Sequence, residues 1–276
     1  MSSAYSGQRQ GKGAADATSS YDPRFFAHLS EIEQRHFWFR SRNRFIEVLA
    51  NQVARDLPAG FRILEVGCGV GSVLGVLQRA CGSGVVFGVD LYAEALTYAR
   101  RTDRRLAQAD ATALPFPAAF ALVGLFDVLE HVSDDDAVLR EVYRLLEPPG
   151  RLLLTAPAHP ALWSHFDEAA CHCRRYSKKE LEQKLSRAGF RIEYMTYCLS
   201  LLVPFVWLRR TIGKLITATP LGRTLTPHRL AESELRIVPV VNGLLTWLLT
   251  LESGLITRRI ALPVGASLLA LASRDR

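Results

Sequence analysis

Short apolar runs alternate with stretches of helical periodicity along most of this chain, and this alternation restricts it to a small set of folds. The order predicts an α/β domain with a mostly parallel sheet covered by helices on both faces. Two prolines and a glycine at residues 148–150 predict a turn before the fifth strand. We predict strands over residues 63–66, 85–89, 106–109, 121–126, 151–156, 191–197 and 266–272, and helices over 72–80, 93–101, 134–146 and 178–188.

Composition narrows the class of protein. The chain has 276 residues, 49% of them hydrophobic, which suits one large domain with additions. Its formal charge is +7, but no basic run is dense enough to indicate nucleic acid as a partner. The five scattered cysteines do not resemble a disulfide framework and favour a reducing cytoplasm. Residues 1–20 lack an apolar core, so we predict a disordered tail there and not a signal peptide.

A glycine-rich turn follows the first predicted strand. Gly67, Gly69 and Gly71 lead into a helix, which brings backbone N–H groups against a ligand at the carboxyl edge of the sheet. A dinucleotide fingerprint has Gly or Ala at its third site, where this chain has Ser72. Glu65, near the end of the buried strand, needs a partner there. The turn alone leaves a nicotinamide-dependent dehydrogenase open as an alternative.

The sequence E-V-G-C-G-V-G at residues 65–71 resembles the first motif of the class I S-adenosylmethionine-dependent methyltransferases. Two later strand ends, FGVD and QADA, match the same family. The resemblance implies that Glu65 organises the amino-acid end of the cofactor, that Asp90 accepts hydrogen bonds from both ribose hydroxyls, and that Asp110 holds the adenine edge. It implies S-adenosylmethionine as the cofactor, with these binding residues: Glu65, Gly67, Cys68, Gly69, Gly71, Asp90, Leu91, Asp110, Ala111, Asp127 and Arg42.

The resemblance runs from about residue 37 to 201 and also implies an architecture. The family has a Rossmann-like, seven-stranded, mostly parallel sheet whose last strand lies antiparallel beside the sixth. We therefore expect a disordered tail at 1–20, a helical N-terminal cap at 21–60, a methyltransferase domain at 61–201, an apolar helical insertion at 202–262 and the last strand within 263–276.

The segment FDVLEHV, residues 126–132, is similar to an element of the small-molecule subgroup that includes ubiquinone-biosynthesis O-methyltransferases. The resemblance places Asp127 at the end of the fourth strand, facing the cofactor's sulfonium. His131 is then the candidate catalytic base, with Glu130 beside it, because an imidazole titrates near working pH and a hydroxyl acceptor must lose its proton. The alternative is that Glu130 and His131 only brace the loop. Transfer to oxygen is preferred over nitrogen or carbon.

Aromatic and basic residues, RHFWFRSRNRF at 35–45, precede the first strand. In this family an N-terminal helical segment often closes over the cofactor. Arg40 or Arg42 is therefore expected to bind the cofactor's carboxylate through a two-point hydrogen bond. Core packing is the alternative explanation for the aromatic residues.

A polar loop, WSHFDEAACHCRRYS at 163–177, follows the fifth strand, where substrates enter in this fold. It is either a substrate site, with arginines that pair an anion, or a structural loop whose arginines pair with acids of neighbouring helices. A metal site formed by its His, Asp and Cys residues is a third alternative. The cysteines lack C-x-x-C spacing and adjacent side chains diverge, so we predict no metal. The candidate substrate-binding residues are His165, Asp167, His172, Arg175 and Tyr176.

Two apolar segments, 199–221 and 237–260, lie between the sixth and seventh strands. Neither has 18 uninterrupted apolar residues, so we do not expect a membrane-spanning helix. They predict a lid or a subunit interface, and their Trp residues and arginine pairs also suit a helix in a membrane interface. The resulting hypothesis is methyl transfer to a small or lipid-linked acceptor, in the cytoplasm at the inner face of the membrane. A dinucleotide oxidoreductase and a non-catalytic membrane adaptor are the alternatives.

Overall fold

The computed structural model describes residues 23–100, 105–205, 207, 208 and 237–275, with side chains from residue 26 onward. The predicted tail, the end of the helix predicted to reach residue 101 and much of the predicted insertion lie outside these residues. The strands are β1 (Arg62–Val66), β2 (Val85–Asp90), β3 (Arg105–Gln108), β4 (Phe120–Phe126), β5 (Leu146–Pro157), β6 (Phe190–Cys198) and β7 (Ser267–Arg274). The α-helices are α1 (Pro23–Ile32), α2 (Phe37–Ala54), α3 (Ser72–Ala80), α4 (Ala93–Ala99), α5 (Asp135–Leu145), α6 (His165–Ala169), α7 (Lys178–Arg187) and α8 (Pro239–Thr257). Short 3-10 turns cover Leu129–His131, Pro160–Leu162 and Ser200–Leu202.

The strands form one sheet in the order β3-β2-β1-β4-β5-β7-β6. Strands β1 to β5 pair in parallel, whereas β7 lies antiparallel to both β5 and β6. Almost every residue of β7 is buried, as its apolar sequence requires of a strand with neighbours on both sides. The predicted Rossmann-like sheet with an antiparallel last strand is confirmed.

The turn predicted over residues 148–150 is wrong. These residues lie within β5, which already begins at Leu146. Phe120 of β4 pairs with Leu146, and the next pair joins Leu122 to Arg151. The two prolines therefore lie at an irregularity of the ladder, where their missing N–H groups are tolerated.

Two apolar cores lie on opposite faces of the sheet. Helices α5 and α7 cover one face, and α2 and α3 cover the other. Helix α8 packs along α2 on this second face, and its Leu249 and Ile256 are buried in the same core as Leu49 and Leu77. The last described helix of the predicted insertion is thereby attached to the N-terminal helices.

Helix α8 bears on the expectation that no helix spans a membrane. It has 19 residues and includes an 18-residue stretch with a mean hydropathy of 1.3, so by length and composition alone it is long and apolar enough to cross a membrane. Its apolar run is interrupted by hydroxyl residues, but their hydroxyl groups donate to carbonyls one turn earlier in the same helix, as Thr246 does to Asn242 and Thr250 to Thr246. Buried Glu252 bonds the helix to the domain, because its Oε2 accepts the N–H of Ser200 at 3.0 Å.

Candidate active site

A cavity of about 620 Å³ lies at the carboxyl ends of β1, β2 and β4. Helices α1 and α2, the loop after β5 and the start of α8 complete its walls. In doubly wound sheets ligands bind at this edge, because loops and helix N-termini converge there. Predicted site residues that line the cavity are Arg42, Glu65, Gly67, Cys68, Gly69, Asp90, Leu91, Asp110, Ala111, Asp127, Glu130, His131, His172 and Arg175.

The turn after β1 forms one wall. Gly67 has a φ of +71°, and a Cβ there would collide with the side chain of Val128. Only glycine combines this backbone conformation with this close approach. The N–H groups of Gly67 and Cys68 both donate to the carbonyl of Val89, at 2.8 and 2.9 Å, which ties the turn to the end of β2. Gly71 is the N-cap of α3 and does not line the cavity. Its φ is +85°, and the side chain of Ala99 lies beside it.

Asp90 links two of the cavity's loops. One carboxylate oxygen accepts the N–H of Gly69 at 2.7 Å and the other accepts the N–H of Tyr92 at 2.9 Å. Burial raises the pKa of Asp90, and these backbone N–H groups partly offset the rise. The side chain is thus fixed in orientation at the cavity wall and retains acceptor capacity for a ligand's hydroxyl groups.

Asp110 and two apolar side chains form the next part of the wall. Asp110 Oδ1 accepts the N–H and the hydroxyl of Thr112, at 2.8 and 2.7 Å. Leu91 and Ala111 line the cavity beside it. This is an apolar slot with a polar edge, which suits a flat heterocycle.

Arg42 and Asp127 form an ion pair inside the cavity, with 2.6 Å between Arg42 Nη1 and Asp127 Oδ2. The other Asp127 oxygen accepts the hydroxyl of Thr155 at 2.9 Å, and Asp127 has a φ of 54°. Of the two arginines considered, Arg42 lines the cavity and Arg40 does not. In this structure Arg42 binds Asp127, so its predicted contact with a cofactor carboxylate stays a prediction.

Glu130, His131 and His172 form a polar end of the cavity beyond Asp127. Burial and the nearby Asp127 carboxylate raise the pKa of Glu130 well above its usual range. Burial and the neighbouring His172 lower the pKa of His131 to about 4. His131 is therefore a neutral imidazole at neutral pH and a weak proton acceptor, so its role as the base stays a prediction.

The loop after β5 divides into cavity and interior residues. Asp167 is 0% exposed and accepts hydrogen bonds from Arg175 Nε at 2.7 Å and from the N–H of Ser164 at 2.8 Å. Tyr176 is also 0% exposed, and its hydroxyl donates to Asp135 at 2.7 Å. His172 and Arg175 line the cavity, whereas the structure places His165, Asp167 and Tyr176 outside it.

Several cavity residues were not singled out from the sequence. Glu33, directly after α1, accepts a hydrogen bond from Ser72 at the start of α3. Asn242 of α8 accepts the N–H of Phe37 at 2.7 Å and donates to the carbonyl of Arg35 at 3.0 Å. An Asn within an apolar stretch of a helix is a sequence signal for such a contact, but its partner is distant in the chain. Apolar members of this group include Leu202, Phe205, Val238, Val241 and Leu245.

A protein-family model described as a methyltransferase domain matches residues 32–194. The match covers more than half of the chain, including the glycine turn, the strand ends and the loop after β5. The chain belongs to the class I S-adenosylmethionine-dependent methyltransferases. The predicted family and its cofactor, S-adenosylmethionine, are thereby confirmed, and the dinucleotide alternative is dropped.

Curated relatives include methyltransferases of quinone biosynthesis. The chain is 38% identical over 112 residues to 2-phytyl-1,4-naphtoquinone methyltransferase of Thermosynechococcus vestitus. This alignment covers 38% of this chain and 50% of the relative. It is 34% identical over 110 residues to a ubiquinone biosynthesis O-methyltransferase of Xanthomonas axonopodis, which covers 37% and 45%. It is 34% identical over 122 residues to a ubiquinone/menaquinone biosynthesis C-methyltransferase of Hahella chejuensis, which covers 40% and 49%. The chain thus matches about half the length of these relatives.

Solved structures of this methyltransferase fold extend over more of the chain. Phosphoethanolamine N-methyltransferase 2 of Haemonchus contortus has a TM-score of 0.59 and 19% identity, and covers 96% of this chain and 61% of its own. The YcgJ protein of Bacillus subtilis has a TM-score of 0.53 and 16% identity, and covers 83% of this chain and 98% of its own. At these identities the likeness concerns the fold.

Proposed function

We propose that this methyltransferase transfers the methyl group of S-adenosylmethionine to a hydroxyl oxygen of a small amphiphilic molecule. One observation carries the proposal: a single cavity joins the acid-tipped strand ends, a polar end with two histidines, and an apolar mouth. The first part suits the cofactor and the second suits the reacting hydroxyl. The third suits an apolar chain on the acceptor.

The strand ends orient the cofactor in this proposal. Asp90 binds the ribose, Asp110 and Leu91 hold the adenine, and Glu65 with Arg42 binds the amino-acid end. Asp127 then faces the sulfonium from the end of β4. The acceptor hydroxyl loses its proton to water or to a group at the polar end of the cavity, and its oxygen attacks the methyl carbon in line with the leaving sulfur. The O–C bond forms as the C–S bond breaks, the electron pair goes to sulfur, and S-adenosylhomocysteine leaves.

Relatives named for quinone biosynthesis support an amphiphilic acceptor. They include both O- and C-methyltransferases, so the choice of oxygen rests on the cavity. Its polar end presents imidazole and carboxyl groups, which are suited to binding a hydroxyl. Its mouth is lined by Phe205, Val238, Val241 and Leu245, which offer no hydrogen bonds to a second polar group.

Helix α8 supports a lid and a contact with a lipid surface. Leu245, Leu249, Glu252 and Ile256 face the protein. The opposite stripe is apolar and exposed: Val240 82%, Leu244 55%, Trp247 60% and Leu251 58%. Two exposed arginines, Arg258 and Arg259, follow the helix. An exposed apolar stripe with flanking cations suits an anionic membrane interface, so we place the enzyme in the cytoplasm at the inner face of the membrane.

Methyl transfer is tested with methyl-labelled S-adenosylmethionine and a pair of acceptors, an alkyl-substituted catechol and its fully O-methylated analogue. The proposal expects label on the catechol only, as an O-methyl group. The variant His131→Gln is expected to lower kcat without changing S-adenosylhomocysteine affinity. His28→Gln, at an exposed position on α1, is the matched control. Cofactor binding without transfer to any acceptor would support a non-catalytic adaptor instead.

Membrane contact is tested by sedimentation with vesicles of anionic or zwitterionic phospholipid. The chain is expected to bind the anionic vesicles, and Leu244→Asp with Trp247→Asp is expected to abolish binding. Thr250→Asp adds a charge to the same helix outside the apolar stripe and is the control. Equal binding by the stripe variant and the control would refute the contact.

A further inference from the structure

We propose that Glu130, His131 and His172 bind a divalent transition-metal ion at the polar end of the cavity. One carboxylate oxygen and two imidazole nitrogens, one from each residue, lie within 4.8 Å of one another. This donor set is the one that proteins use for Zn²⁺, Mn²⁺ and Fe²⁺ in sites with open positions. The assignment replaces the expectation of no metal, which considered only the loop after β5.

The fold brings the three ligands together from two distant segments. Glu130 and His131 lie in the 3-10 turn directly after β4. His172 follows α6 in the loop after β5, and the rings of His131 and His172 meet edge to face with 4.7 Å between centroids. Neighbouring parallel strands end at one edge of the sheet, so residues that follow β4 and β5 become adjacent.

His172 has the outer partner that metal-ligating imidazoles commonly have. His172 Nδ1 lies 2.9 Å from Asp167 Oδ1, and this carboxylate is fully buried and fixed by Arg175. The imidazole of His131 lies near the backbone of Ala170 and Cys171, which belong to the same loop as His172. An imidazole that donates one ring N–H to a carboxylate or carbonyl presents its other nitrogen to a metal in a fixed orientation.

Glu130 provides an independent observation that points to a bound cation. Its side chain is 1% exposed, and Oε2 has no hydrogen-bond partner within the part of the chain that the structure describes. A buried carboxylate oxygen without a partner is costly, and native proteins rarely leave one unsatisfied. A metal ion held between Glu130 and the two imidazoles supplies that partner.

The ion's role in catalysis rests on the proposed O-methylation. Three protein ligands leave coordination positions for the acceptor's hydroxyl. Coordination lowers the pKa of this hydroxyl, which releases its proton to water, and the resulting oxyanion attacks the methyl carbon. In this arrangement the histidines hold the ion, and no side chain has to accept the proton.

Metal binding is measured on the purified full chain after treatment with a chelator. Calorimetry with Zn²⁺ is expected to give one site per chain, and Co²⁺ is expected to give visible absorption bands of a nitrogen- and oxygen-ligated ion. Glu130→Gln and His172→Ala are expected to weaken Zn²⁺ binding by at least about tenfold and to abolish the bands. His28→Ala removes an exposed imidazole and is expected to bind as the wild type does.

The outer partner gives a separate test. Asp167→Asn keeps the size of the side chain but weakens its hold on His172, and it is expected to lower Zn²⁺ affinity by about 10- to 100-fold. S-adenosylhomocysteine binding by each variant checks that the fold and cofactor site persist. A stripped wild type that binds no Zn²⁺, or cluster variants that bind it as tightly as the wild type, would overturn the site.

Different experimental results would refute the metal site and the proposed function. Zn²⁺ and Co²⁺ binding requires no acceptor, so a bound ion without any O-methyl product contradicts the proposed function and leaves the site standing. O-methylation at full rate by the metal-free protein would overturn the ion's catalytic role.

Discussion

Asp90 is the residue on which cofactor recognition depends most in this account. Its carboxylate already fixes the N–H groups of Gly69 and Tyr92, at 2.7 and 2.9 Å, and in the proposed complex it also accepts both ribose hydroxyls. A hydrogen bond to a charged group contributes about 1.5–3 kcal/mol, so loss of both ribose bonds in Asp90→Ala costs about 3–6 kcal/mol of binding free energy. This corresponds to roughly 10²- to 10⁴-fold weaker binding.

Asp90→Asn is expected to weaken cofactor binding less than Asp90→Ala does. The amide oxygen still accepts hydrogen bonds, but the charge and one acceptor group are lost, so about half of the binding free-energy loss is expected. Calorimetry with S-adenosylhomocysteine measures both variants without turnover, and thermal unfolding checks that they are folded. Asp56→Ala, which removes an exposed carboxylate beyond the end of α2, is the control. A folded Asp90→Ala that binds S-adenosylhomocysteine as tightly as the wild type would refute the ribose assignment.

Three further outcomes are expected. Burial raises the pKa of Glu252 from 4.5 to about 7, so between these pH values the folded state keeps a proton that the unfolded state loses. The free energy of unfolding therefore falls by up to about 3 kcal/mol as the pH rises from 4.5 to about 7. Glu252→Gln should remove this dependence in urea unfolding across pH 4 to 8, and an unchanged slope would contradict the assignment. Gly67→Ala should weaken S-adenosylhomocysteine binding and lower the melting temperature, whereas Gly82→Ala, which has open space around it, should do neither. Asn242→Ala removes the hydrogen bonds to Arg35 and to Phe37 at the start of α2, so stopped-flow measurements should show faster S-adenosylhomocysteine release, and an unchanged rate would argue against a lid.

The sheet and the strand-end residues were predictable because their signals are local. Alternating patterns place strands and helices, and parallel strands end at one edge of a sheet, so Asp90, Asp110 and Asp127 had to approach one cavity. The glycine turn is equally local, since the backbone at Gly67 leaves no room for a side chain.

The other half of the site depends on contacts between distant segments. Nothing near Arg42 in the sequence indicates that it pairs with Asp127, and His172 meets His131 only because β4 and β5 are neighbours. Loops carry no periodicity from which such approaches can be read. The position of α8 was hidden for the same reason, because its packing against α2 joins segments at opposite ends of the chain.

Interior and cavity residues of one loop were also not separable from the sequence. Asp167 and Arg175 both read as polar residues suited to a substrate. In the folded chain Asp167 points into the interior, where it binds Arg175 and His172. Arg175 and His172 themselves line the cavity. Burial of a polar group depends on its partners, and these become adjacent only in the folded chain.

The central claim is that methyl transfer ends on an acceptor hydroxyl at the polar end of the cavity. Incubation with methyl-¹³C S-adenosylmethionine and a lipid extract of the source cells, followed by mass spectrometry and NMR of the labelled product, tests this claim most directly. The account predicts a ¹³C-labelled methoxy group on a molecule with an apolar chain, formed by the wild type and not by Asp90→Ala. Label on nitrogen or carbon, or on a water-soluble product without an apolar chain, would contradict it.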